Sequence, residues 1–306
     1  MHSQEVTAPS VPGRKPREDE IDAHGVTHQG KVRKDNQDHF LLCSLRKQLV
    51  VRLSSIPEAE GLTSESERLA SLAMVADGVG GAARGETASR LALQAVTRYV
   101  TRTMRCYYGS VAEDEEDLSQ ALEEGARQCH VELRRHGEED LDVRGMATTL
   151  TLYLGVWPRG YLLQVGDSRC YLLRDGELTQ ITRDQTMAQE MVDLGVMKAE
   201  DAAGTRLAHT LTSSIGGSES HPKVTRFDMN WGHVLLLCSD GLTRHVSDAR
   251  IRDVLRSMTS ARQACDTLLQ EALDGGGSDN VTVVIGRAVK KDGRKEGRND
   301  GRTEGQ

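Results

Sequence analysis

The order of strand-like and helix-like segments predicts an α+β fold, two antiparallel sheets covered by helices. Apolar segments with strand character gather towards both ends of the chain, and two long amphipathic helical segments lie between them. The strict βαβα alternation of a parallel doubly wound sheet is absent. The chain has 306 residues, 37% of them hydrophobic, which is enough to bury a sizeable core. Aromatics make up only 3%, so that core must be built from Leu, Val, Ile and Ala.

Residues 1–20 carry Pro9, Pro12 and Pro16 and are expected to be disordered. Strands are expected at 23–27, 39–43, 48–53 and 72–76. Ala88, Leu91, Ala92, Ala95 and Tyr99 then share one helical face, and Leu118, Ala121, Leu122, Cys129 and Leu133 share another. The acidic run 113–117 precedes the second helix, at the positive end of its dipole. In 149–156, Leu150, Leu152, Leu154 and Val156 alternate with other residues, the period of a half-buried strand. Further strands are expected at 161–165, 170–174, 223–228, 233–238 and 281–287. Before the last of these, Ala261, Ala264, Cys265, Leu268, Leu269 and Ala272 form a third helical face. The tail from Lys290 places Gly293, Gly297, Gly301 and Gly305 in an acidic-Gly-Arg pattern with nothing apolar to bury. The chain therefore divides into a disordered segment 1–20, one domain 21–289 and a solvated tail 290–306.

A net charge of −7 argues against nucleic-acid binding, which needs a basic face to neutralise phosphates. No broad attraction to anionic membranes is expected either. The longest dense apolar run, 234–238, falls far short of the roughly 18–20 residues that cross a bilayer, and no signal peptide is expected at the N-terminus. Cys43, Cys106, Cys129, Cys170, Cys238 and Cys265 are widely spaced without a CxxC pair, so free thiols and a reduced, cytoplasmic setting are expected.

Three apolar strands deliver aspartates at or beside their ends. The strand at 72–76 runs into Asp77, Gly78, Val79, Gly80 and Gly81; the one at 234–238 runs into Ser239, Asp240 and Gly241; Asp279 and Asn280 precede the last strand. Asp-Gly alone is a turn signal. A carboxylate beside an apolar strand three times over gathers charges that would repel one another without a cation, and hard ions such as Mg²⁺ or Mn²⁺ suit all-oxygen ligands. Upstream, Arg33 precedes Asn36, Gln37 and Asp38. Its planar fork suits two phosphate oxygens at once.

The ordered motifs R-x-x-N-x-D (33–38), DGxGG (77–81), GDSR-x-Y-x-x-R-x-G (166–176), SDGL (239–242) and SDN-x-T (278–282) resemble the metal-dependent protein serine/threonine phosphatases of the 2C type. The resemblance spans essentially all of 21–289. It implies a four-layer αββα sandwich, two Mn²⁺ or Mg²⁺ ions and hydrolysis of phosphoserine and phosphothreonine in proteins, opposing a separate kinase. By position, Asp77 resembles the carboxylate that bridges the two ions, with the Gly78 carbonyl as a further ligand. Asp240 and Asp279 resemble the other carboxylates of the first ion, and Asp38 an acidic residue holding metal-bound water. Arg33 resembles the phosphate-binding arginine, and Asp142 falls where bacterial-type members place a ligand for a third, weaker ion. Ions about 3.5–4 Å apart share a water whose pKa drops from about 15.7 towards neutrality, and the hydroxide attacks phosphorus in line. A soluble monomer is expected.

Two positions depart from the family pattern. Gln37 stands where several members carry glutamate, and Val79 where some eukaryotic members carry a histidine suspected as general acid. The 166–169 motif is expected to be an architectural hairpin corner, with Asp167 and Arg169 bonded to backbone or to each other. Residues 186–214 resemble a flap over the cleft, with His209 inside it.

Two rival readings are weighed against this one, a nucleotide-binding protein and, more seriously, a catalytically dead relative. The 80–87 stretch follows a strand and opens a helix much as a P-loop does, but Glu86 occupies the place of the phosphate-binding lysine. A catalytically dead relative would normally lack a metal carboxylate, and only Gln37 leans that way.

Overall fold

The structure, a computed structural model, describes residues 14–48, 66–107, 115–202 and 205–291. In chain order its elements are β1 (Ile21–His28), β2 (Asp38–Lys47), β3 (Glu67–Val79), α1 (Ala82–Tyr107), α2 (Glu115–Glu139), β4 (Ala147–Thr148) and β5 (Leu150–Val156). They continue with β6 (Arg159–Val165), β7 (Arg169–Arg174), β8 (Glu177–Gln180), α3 (Met187–Asp193), α4 (Ala199–Ala202) and β9 (Lys223–Asp228). The last are β10 (Val234–Cys238), α5 (Asp240–Thr243), α6 (Asp248–Ser257), α7 (Ala261–Asp274) and β11 (Val281–Ala288).

The strands build two antiparallel sheets, one ordered β1-β11-β10-β7-β8 and the other β2-β3-β5-β6-β9, with β4 pairing on β3. Period-two patterning assigns each strand's two faces. Leu150, Leu152 and Leu154 of β5 pack with the apolar faces of α1 and α2, while Tyr153 packs between the sheets. On β10, Leu236 and Cys238 pack with α6 and α7, whereas Leu235 and Leu237 face the other sheet. The layers therefore run helix, sheet, sheet, helix, as the α+β reading expects.

The short helices α3, α4 and α5, helix α6 and strand β8 were not anticipated. Helix α6 buries Ile251, Val254 and Leu255, and the Ser247 hydroxyl caps it by accepting the Arg250 amide. Strand β8 is a short edge strand with half its residues exposed. The expected strand at 48–53 lies almost wholly outside the described residues, as do 1–13 and 292–306.

Residues 14–20, placed in the disordered segment by their prolines, are instead held against the domain. Arg14 donates to both oxygens of Glu20 at 2.6 Å, and the buried Arg68 guanidinium donates to the Pro16 carbonyl at 2.6 Å. The Val289 amide donates to the Glu20 carbonyl, tying the segment to the end of β11. Buried charge pairing, invisible to a proline count, orders this stretch.

The 166–169 motif is not a hairpin corner, because β6 and β7 belong to different sheets. It carries the chain across the sandwich, and Gly166 has φ +101°, where a Cβ would stand 2.7 Å from Thr149 Cγ2. Arg169 bonds Asp184 at 2.7 Å and the Tyr171 hydroxyl at 3.0 Å, not Asp167. All five cysteines with described side chains are free thiols. Among the described residues no helix is long and apolar enough to cross a membrane.

Candidate metal centre

Strand register delivers the acidic residues to one end of the sandwich. Asp38 opens β2 directly opposite Asp77 on β3, Asp240 opens α5 behind β10, and Asp279 lies just before β11. Thr149 fixes Asp77 by accepting its amide at 2.9 Å, and Thr148 donates to the Asp77 carbonyl at 2.8 Å. Next to it, a Cβ on Gly78 would stand 2.1 Å from the Gly85 carbonyl oxygen, so only glycine lets β3 and α1 approach this closely. Asp77, Gly78, Asp240, Asp279 and Arg33 line one cleft of about 600 Å³.

Asp38 is almost fully buried beneath them. Its Oδ2 accepts from the Ser239 hydroxyl at 2.7 Å and the Thr282 hydroxyl at 2.8 Å, while Oδ1 is buried without a hydrogen-bond partner. Burial, reinforced by Asp240 and Asp279, raises its pKa to about 7 against those two bonds. Burial and the neighbouring Asp38 and Asp240 charges push Asp77 well above the usual carboxylate range. Asp240 Oδ1 is likewise buried without a partner.

Arg33 reaches the cleft from the loop between β1 and β2. Its Nε lies 2.8 Å from Asp279 Oδ1 and its Nη2 2.8 Å from Oδ2. The side chain of Asn280 staples that loop: its Oδ1 accepts the Gln37 amide, and its Nδ2 donates to the Gln29 and Asp35 carbonyls, each at 2.9 Å. Gln37 and the exposed Val79 both line the cleft.

A family model described as protein phosphatase 2C matches residues 60–275. The chain belongs to the protein phosphatase 2C family. The serine/threonine protein phosphatase PstP of Mycobacterium tuberculosis is 38% identical over 226 residues, covering 73% of this chain and 41% of that protein. The chain thus spans less than half the length of that curated relative. Protein phosphatase PhpP of Streptococcus pneumoniae is 32% identical over 213 residues, 69% of this chain and 83% of PhpP. A crystal structure of M. tuberculosis PstP/Ppp superposes with TM-score 0.70 at 32% identity, covering 88% of this chain and 99% of that one. The PstP catalytic domain in complex with two manganese ions gives TM-score 0.66 at the same identity and coverage.

The donor set of this 2C-family cleft fits a hard divalent ion. Every candidate ligand is an oxygen, two carboxylate oxygens are buried without partners, and burial raises carboxyl pKa values that a nearby cation would lower. Among the described residues no three acidic, imidazole or thiol groups converge on one point. Asp240 and Asp279 are instead engaged by Arg244 and Arg33.

Asp142 is not brought to the cleft. It is exposed in the 3₁₀ turn Leu141–Val143, where its amide donates to Asp140 Oδ1 and its carbonyl accepts from Arg84. Asp167, read as architectural, does line the cleft, and burial together with the Asp240 charge raises its pKa to about 8. Nothing local in its motif marks it; the crossover between sheets puts it there. Arg244 also went unread, although its i+4 spacing from Asp240 on a helix was a usable signal. His209 lines the cleft, with Nδ1 3.9 Å from Asp240 Oδ2. The segment that carries it is tied across its two ends where Met187 N donates to the Thr210 carbonyl at 2.9 Å.

Proposed function

We propose that this chain is a divalent-metal-dependent phosphatase that hydrolyses phosphoserine and phosphothreonine in proteins. The observation that carries this reading is the lining of one cleft by Asp77, Asp240, Asp279 and Arg33 above the buried Asp38, with two buried carboxylate oxygens unpartnered. The names of its relatives, serine/threonine phosphatases, and the manganese-bound PstP structure support it.

Asp77, the Gly78 carbonyl, Asp240 and Asp279 would hold Mn²⁺ or Mg²⁺, and Asp38 would accept hydrogen bonds from water in their shell. The ions, when bound, supply a water of lowered pKa for in-line attack on phosphorus and shield the phosphoryl oxygens. Arg33 then leaves Asp279 for the phosphate, where its fork spans two oxygens as charge builds on them. Asn280 keeps the Arg33 loop in place throughout. Val79 has no proton to give the departing serine or threonine oxygen, so this step falls to solvent in the cleft.

The five free thiols agree with a reducing, cytoplasmic setting. Phosphoserine and phosphothreonine arise by protein kinase action, so a kinase of that specificity supplies the substrate.

The test is phosphate release from a phosphothreonine peptide by purified protein with Mn²⁺, with EDTA, and for Asp240→Asn. The reading expects release with Mn²⁺ alone and loss in both controls. Folded protein that releases no phosphate at any Mn²⁺ concentration would overturn it.

A further inference from the structure

Arg244 is the feature of the cleft that the proposed reaction does not use. It caps the C-terminal end of α5, one helical turn beyond Asp240. Its Nε donates to Asp240 Oδ2 at 2.9 Å, Nη2 also contacts that oxygen, and Nη1 stands 3.6 Å from Asp279 Oδ2. The side chain is 28% exposed and lines the cleft. Thus one guanidinium spans two of the carboxylates that the proposed metal ions would take.

We propose that Arg244 is a resident cation of the carboxylate cluster that competes with divalent ions for Asp240 and Asp279, limiting how tightly and how many ions the cleft holds. The inference rests on the metal-dependent reading above.

Charge makes the case. Asp77, Asp167, Asp240 and Asp279 line the cleft above the buried Asp38, and two guanidiniums, those of Arg33 and Arg244, line it with them. Arg33 sits on a loop, is half exposed and has a phosphate to move to. Arg244 sits at a helix end four residues from Asp240, a spacing that keeps the two side chains on one face, and it is less exposed than Arg33. A guanidinium also keeps its charge at every accessible pH, so an ion must displace or tolerate it. Like charges a few ångströms apart in a partly buried cleft repel by more than thermal energy. Asp240 Oδ1, buried and unpartnered, is the oxygen left over while Arg244 occupies Oδ2.

Chelator-stripped full-length protein is titrated with Mn²⁺ by calorimetry, and bound ions are counted after equilibrium dialysis. Wild type is compared with Arg244→Gln, Arg244→Met and Arg244→Lys, each checked for a cooperative melt; either folded neutral variant suffices. Both neutral variants are expected to bind the weakest Mn²⁺ on the order of tenfold more tightly, or to retain one more ion, with Arg244→Lys closer to wild type. Unchanged or weaker binding in the neutral variants overturns the proposal: Arg244 then merely orients Asp240. That outcome leaves the phosphatase reading standing, because wild type would still bind metal. Absence of Mn²⁺ binding in the wild type and in the folded neutral variants alike sinks both.

Discussion

Arg33 and Asp279 lie 246 residues apart in the chain and meet in a two-pronged ion pair, Nε to Oδ1 and Nη2 to Oδ2, each at 2.8 Å. Under the proposed function, this pairing holds the arginine beside the cleft until phosphate draws it away. Arg33→Ala is expected to lower kcat/KM for a phosphopeptide by roughly 10²–10³-fold. Arg33→Lys should recover only part of this, since a point charge cannot span two oxygens. Steady-state kinetics at saturating Mn²⁺ check it, and an unchanged kcat/KM would remove Arg33 from phosphate binding.

Asn280 makes three bonds to backbone of the loop that carries Arg33, and it is buried. Asn280→Ala strands those groups, at about 1–3 kcal/mol for a buried group left unsatisfied. Denaturant melts should show that loss. Kinetics on the same variant should show a raised KM, because Arg33 loses its support.

At the sheet crossover, Gly166→Ala puts a Cβ against Thr149 in a left-handed conformation. A cost of about 1–3 kcal/mol is expected from the backbone strain alone. Thr149 also holds the Asp77 amide, so Mn²⁺ affinity should fall with stability. Full stability in this variant would mean that the crossover adapts freely.

Much of the candidate site was legible because its aspartates stand beside apolar strands: Asp77 and Asp240 follow such runs and Asp279 precedes one, and all three line one cleft. Asp167 escaped because its place in the cleft depends on a change of sheet between β6 and β7, which no local pattern records. Asp142 shows the opposite case: its motif position fits the resemblance, but a 3₁₀ turn leaves it exposed and outside the cleft lining. Among the elements, α6 had its signals in Ser247 and the 251, 254, 255 spacing, while the four residues of β8 were too few to show a period. At the N-terminus, prolines outweighed the pairing of Arg14 with Glu20, a contact visible only in three dimensions.

Glu20 is held far below its ordinary pKa of 4.5, at about 2, chiefly by the Arg14 hydrogen bonds and then by the Arg17 amide against the opposing effect of burial. A carboxylate whose folded pKa is depressed stabilises the fold above its unfolded pKa. That contribution is complete above about pH 4.5 and is lost as pH falls towards 2. Glu20→Gln should therefore lower Tm at neutral pH and flatten the acid dependence across this window. Thermal melts from pH 7 down to 2 measure it, and parallel curves for the two proteins would contradict it.

The central claim is that Asp77, Gly78, Asp240 and Asp279 form the metal centre of a 2C-family phosphatase. Anomalous diffraction at the manganese edge, from crystals equilibrated with Mn²⁺, tests it most directly. The account predicts a pair of peaks in the cleft bounded by those four residues, with Arg33 released from Asp279. A cleft without peaks at saturating Mn²⁺, with Arg33 and Arg244 still on their aspartates, would contradict it.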